Sequence, residues 1–230
     1  KADAAGANNG TSWANAYTDL QAALSEAAAT TTVDKIYIAK GTYIPTVGFD
    51  FDENGTVDSR EFTFQIPEGV EVYGGFAGTE TELTARNWEN NPTILSGNID
   101  QSADSTNNAY HVVKFVNASE QTSIDGFTIT GGNADGSGTN DNGGGIYNDG
   151  SGTGNICKPQ IANCIVKNNY AHSNGGALHN DGGNGGNSSP GITNCVFSGN
   201  KASKGGALNN HGDNGNSSPS LTNCIISGNS

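Results

Sequence analysis

The densest concentration of chemistry in the chain is one short acidic stretch, Asp50-Phe51-Asp52-Glu53-Asn54-Gly55-Thr56-Val57-Asp58-Ser59-Arg60-Glu61. Oxygen donors stand at its positions 1, 3, 5, 9 and 12, with glycine at 6 and an aliphatic residue at 8. Calcium takes oxygen ligands, and an EF-hand loop wraps one ion with this spacing. In that reading Asp50, Asp52 and Asn54 supply side-chain oxygens and Thr56 its backbone carbonyl. Asp58 acts directly or through water, and Glu61 binds through both carboxylate oxygens. Gly55 permits the reversal that brings the two halves around the ion. The competing reading is an ordinary acidic surface turn, which a match at all seven constrained positions disfavours.

The flanks are not those of an EF-hand domain. Pro45 lies upstream, and Phe62, Phe64 and Ile66 alternate downstream as a strand does. Residues 50–61 are therefore expected as an insertion between two strands. With no partner helix to open, Ca2+ would have a structural role there.

The elements that must carry this loop are announced by a repeat. Gly143-Gly144-Gly145-Ile146-Tyr147-Asn148-Asp149 returns at Gly175 and at Gly205 as GGALHND and GGALNNH, at offsets 175 − 143 = 32 and 205 − 175 = 30. Between the copies runs Asn163-Cys164-Ile165-Val166-Lys167-Asn168-Asn169, repeated from Asn194 and Asn223. Apolar runs of two or three residues between Gly, Asn and Ser turns predict strands, not helices. The expected fold is all-β, a right-handed parallel β-helix, with regular repeats of about 30 residues over 120–230.

Alternation then assigns the faces. Thr128 and Thr130 point to water, which turns Phe127 and Ile129 inward with Cys164, Val166, Cys195, Phe197, Cys224 and Ile226. Ile146, Leu178 and Leu208 form another inward column. Asn169, Asn200 and Asn229 recur at a bend, where stacked amides can bond the backbone and one another. The three stacked cysteines are expected to be reduced core residues, because an in-register parallel pair seldom has disulfide geometry. Cys157 has no repeat partner, and the set lacks metal-ligand spacing.

Residues 12–28 carry the one amphipathic helical pattern, with Trp13, Ala16, Leu20, Ala23 and Leu24 on one stripe and Ser12 as its cap. Such a helix is expected to cover the open end of the first coil. Lys35–Ala39, Val70–Tyr73, Thr93–Leu95 and Tyr110–Phe115 read as strands of early coils. Asn148, Asp149, Asn180, Asp181, Asn210 and Asp213, in the loops after each GGxL phrase, line up as an oxygen-rich strip, expected to be solvated turns. His111, His172, His179 and His211 show no common spacing and read as surface or strand residues.

Composition agrees with a single thin, turn-rich domain over 1–230. The chain has 34 glycines and 33% hydrophobic residues. Ten Lys and Arg against 23 Asp and Glu give a net charge of −13, which disfavours nucleic acid and anionic membranes as partners. No apolar stretch approaches the roughly 20 residues that cross a bilayer. The chain has no methionine, and it stops just after its third NCxxSGN-type phrase. Both features are read as marks of a fragment of a longer, secreted protein.

The succession GTSWANAYTDLQAAL, IYIAKGTYIPT, VEVYGGFAGTETELTARNW, NPTILSGNI and DGFTITGGNAD resembles secreted bacterial surface proteins of the parallel β-helix class. Its later repeats are similar to the GGAI and FxxN phrases of polymorphic outer-membrane proteins, here Phe197-Ser198-Gly199-Asn200. Val166 and Ile226 stand where Phe is expected, both conservative inward changes. The resemblance implies a secreted, surface-displayed structural or adhesive module, with glycans or other cell-surface molecules as partners. It also implies an architecture shared with pectin-degrading enzymes, so a polysaccharide lyase or glycoside hydrolase is the alternative. Lyases on this fold use a Lys or Arg base, yet Arg60 and Arg86 are the only arginines. The clustered-aspartate series of the hydrolases is missing too. A further alternative is a filament subunit, associating head to tail through unpaired strand edges.

Overall fold

A computed structural model describes residues 1–50 and 54–230. Within them the chain winds as a parallel β-solenoid. Two sheets are six strands deep, so the coil makes six turns. The first stacks Lys35–Ala39, Glu71–Phe76, Ser123–Asp125, Gln160–Ala162, Gly191–Thr193 and Ser220–Thr222. The second stacks Gly41–Tyr43, Thr93–Ser96, Phe127–Thr130, Ile165–Lys167, Val196–Ser198 and Ile225–Ser227. A third, of five strands, contains Phe64–Gln65, Val113–Val116, Ile146–Asp149, Leu178–Asp181 and Leu208–His211.

The core is a set of columns, one residue per coil. Ile36, Val72, Ile124, Ile161, Ile192 and Leu221 are in register down the first sheet. Tyr43, Leu95, Ile129, Val166, Phe197 and Ile226 descend the second. The expected inward residues are buried except at the last coil, where Ile226 is 52% exposed and Cys224 only partly covered. The GGx phrase has a steric cause. A Cβ on Gly144 would lie 2.1 Å from the Tyr170 carbonyl oxygen, and one on Gly176 2.5 Å from that of Lys201. Adjacent coils approach too closely there for any side chain.

The amide column is a continuous ladder. The Asn169 side chain donates to Oδ1 of Asn200 at 3.0 Å, and that of Asn200 to Oδ1 of Asn229 at 2.9 Å. A second ladder joins Asn148, Asn180 and Asn210 at 2.7 and 2.8 Å. Its first two members are fully buried, which corrects their assignment to a solvated strip. They sit two residues after the inward Ile146 and Leu178, so alternation turns them inward as well.

The cap helix is shorter than 12–28. It runs Leu20–Ala29, and Asp19, not Ser12, caps it by accepting from the Gln21 amide. Residues 12–19 instead fold over the first coil, where the Trp13 indole packs on Phe76 and donates to the Glu80 carbonyl at 2.7 Å. Among the described residues no helix is long and apolar enough to cross a membrane.

All four cysteines are free. Asn163, Asn194 and Asn223, with φ between 52° and 54°, turn the chain so that the following Cys faces in. The Cys195 thiol lies 3.3 Å from the Thr193 carbonyl and 3.5 Å from that of Ile161. A serine hydroxyl would find the same acceptors, so Cys195→Ser is expected to cost only ~1 kcal/mol by urea unfolding. Burial holds the Cys164 thiol protonated and pushes Cys157 up to about 12. A thiol reagent should therefore label Cys224 first in the native protein, and equal labelling of Cys164 would contradict this packing.

Candidate metal centre

The acidic loop closes at its base through an antiparallel bridge between Gly48 and Phe62 and a bond from the Thr63 amide to the Val47 carbonyl. Its entering half turns on Asp50, whose carboxylate accepts from the amides of Asn54 at 3.0 Å and Gly55 at 2.8 Å. Asn54 Oδ1 in turn accepts from the Thr56 amide and hydroxyl. Gly55 has φ of 86°, the left-handed conformation required at this reversal. Asp52 lies outside the described residues.

The exit half is a reciprocal cap on the short 3-10 turn Ser59–Glu61. Asp58 Oδ1 accepts from the Arg60 amide, while Glu61 Oε2 accepts from the Asp58 amide at 3.1 Å. Among the described residues no three His, Cys, Asp or Glu side chains converge tightly enough to hold an ion. Asp50 and Asp58 direct their carboxylate oxygens at backbone amides of their own loop. The single base of the stretch, Arg60, is turned away. Its guanidinium lies 4.2 Å over the Tyr110 ring, donates to the carbonyls of Asn108 and Asn133, and pairs with Asp135.

Two features of this site had no signal in the sequence. Glu61 is 1% exposed, and Asn140, 79 residues away, brings its amide nitrogen to 3.5 Å from Glu61 Oε1. The exit half is thus seated on two later coils, while the turn around Asn54 is exposed.

A second titratable group lies on the outer face of the third sheet. Lys114, Tyr147 and His179 are in register there. His172, His179 and His211 lie on strands, as expected, and His111, Tyr147, His179 and His211 form a ring stack with centroids 5.0, 5.3 and 6.3 Å apart. Burial pushes His111 down to about 3 and His179 down to about 4. Tyr147 is raised by burial and donates to Asp181 at 3.0 Å. Burial lowers Lys114, opposed by Asp149 at 3.7 Å. Burial raises Asp181, yet its bonds from His211, the Gly183 amide and Tyr147 bring it below the ordinary carboxylate range. His211, bonded to Asp181 at 2.9 Å, is raised.

Comparison with family models, curated proteins and solved structures finds no match to this chain.

Proposed function

We propose that this chain is an extracellular structural or adhesive β-helix module whose N-terminal coils are braced by calcium in the 50–61 loop. The observation that carries the reading is the seating of Glu61: a bidentate ligand candidate buried against Asn140 ties the loop to a distant coil. Calcium supplies a divalent charge that oxygen ligands can surround. Asp50, Asp52, Asn54, Asp58 and Glu61 would hold it by side chain and Thr56 by its carbonyl. Arg60 and Asn140 keep the exit half in place, so an ion shared by both halves would stiffen the whole insertion. Surface display and binding of glycans or other cell-surface molecules belong to the same proposal and rest on the resemblance of the repeats.

The lyase or hydrolase alternative has less support. Tyr147 is 1% and Lys114 5% exposed, and their polar atoms serve Asp181 and Asp149. A general base must reach its substrate proton.

Calcium titration tests the reading. Affinity of roughly 10⁻⁵–10⁻³ M is expected, with discrimination against magnesium. At a hundredfold excess over Kd the fold should gain about 2.7 kcal/mol. Glu61→Gln should weaken binding strongly while the repeats from Gly143 onward stay folded. No calcium heat, together with a melting curve indifferent to chelator, would reduce the motif to coincidence.

A further inference from the structure

We propose that the N-terminal end of the solenoid is a docking groove for a short extended peptide with alternating apolar and basic side chains, added as a strand beside Lys35–Ala39. The proposal goes beyond the calcium reading and is independent of it. A cavity of about 560 Å³ separates residues 9–17 and the cap helix from the first coil. That is the size of an ordinary ligand site.

Four consecutive residues, Lys35, Ile36, Tyr37 and Ile38, line this cavity. Successive side chains of a strand point to opposite faces, so a cavity that touches all four lies along the strand's edge. Among the described residues that edge has no pairing partner: Lys35–Ala39 ends its sheet and is paired with Glu71–Phe76. The Asp34 carbonyl and the Lys40 amide bond toward that neighbour. By the two-residue period, the N–H and C=O groups of Lys35 and Tyr37 point the other way, into the cavity. No hydrogen bond among the described residues engages those four groups.

An open row of backbone donors and acceptors asks for another backbone. A saccharide or a compact small molecule would not satisfy both residues at strand spacing. A whole second copy is also a poor occupant, because the cap helix and the Trp13 segment cover the end of the coil and leave a slot. Leu20, Ala23 and Ile36 supply aliphatic lining to the slot, and Trp13, Tyr17 and Tyr37 supply aromatic lining. Asp19, Glu26 and Glu80 balance Lys35 and the two amines of Lys1 in the lining, while the chain carries −13 overall. Cations approach such a surface faster and settle on aromatic rings.

The test uses the whole chain and an acetylated, amidated Lys-Val-Lys-Val-Lys peptide, titrated by calorimetry and by tryptophan fluorescence. Three comparisons accompany it: the same peptide with N-methylated valines, the Glu-for-Lys peptide, and cellopentaose. Binding of the first peptide in the micromolar to submillimolar range, with at least tenfold loss on N-methylation, is the expected result. The Glu-for-Lys peptide should bind more weakly by a similar factor. Tyr37→Pro removes one outward amide without touching the ladder to the next strand, and should cost the same factor while the circular dichroism stays unchanged. Equal binding of the N-methylated peptide, binding of cellopentaose alone, or no binding by any probe would each overturn the proposal.

Discussion

Lowering the pH from 6.5 to 4.5 should destabilise this protein, beginning above the range in which its carboxylates protonate. His111 is 1% and His179 4% exposed, and burial pushes them down to about 3 and about 4. The unfolded chain, whose histidines titrate near 6.5, then binds more protons than the folded one, so stability falls as pH drops below about 6.5. A tenfold difference in proton affinity between the two states is worth about 1.4 kcal/mol, so the two sites together remove on the order of 5 kcal/mol by pH 4.5. The loss continues toward pH 3. His211 works in the opposite direction, since its raised pKa adds stability below 6.5, but its exposed ring makes that contribution small. Asp181, held low, contributes only once the pH falls through the carboxylate range. Urea unfolding at half-unit pH steps measures the slope. His179→Phe, which keeps a ring between Tyr147 and His211, should flatten it, and a level profile from pH 6.5 to 4.5 in the parent would refute this account.

Asn200→Ala should be among the most damaging single changes, costing about 3–5 kcal/mol. The Asn200 side chain is buried and donates to the carbonyls of Val166 at 2.9 Å and Ser198 at 3.3 Å. Its Oδ1 accepts from the Asn169 backbone amide at 3.1 Å. Alanine strands these groups without water, at about 1–3 kcal/mol each. Asn200→Asp keeps the acceptor but sets a carboxylate against two carbonyls, and should be no better. Asn229→Ala, at a partly exposed side chain where water can replace the lost bonds, should cost less than half as much. Similar midpoints in chemical unfolding for Asn200→Ala and Asn229→Ala would show that the ladder does not act through burial.

Much of this architecture is legible in the residues, because a solenoid copies its local rules from coil to coil. The 32- and 30-residue offsets, the alternation around Phe127 and Ile129, and the recurring Asn169, Asn200 and Asn229 each express a contact between equivalent positions. The reversal at Gly55 is legible for a related reason: the carboxylate that accepts from its amide is only five residues away. Only the tertiary structure decides the rest. The helix begins at Leu20 because the Asp19 carboxylate reaches the Gln21 amide, while Trp13 has a better partner in Phe76. Asn148 and Asn180 read as turn residues, and only the register of their strands turns them into the core. The burial of Glu61 beside Asn140 depends on how irregular insertions fold over the later coils. Such insertions have no copy in the next coil, so no periodicity reports where they land, and the pKa values and contacts they impose arise only when distant segments exclude water together.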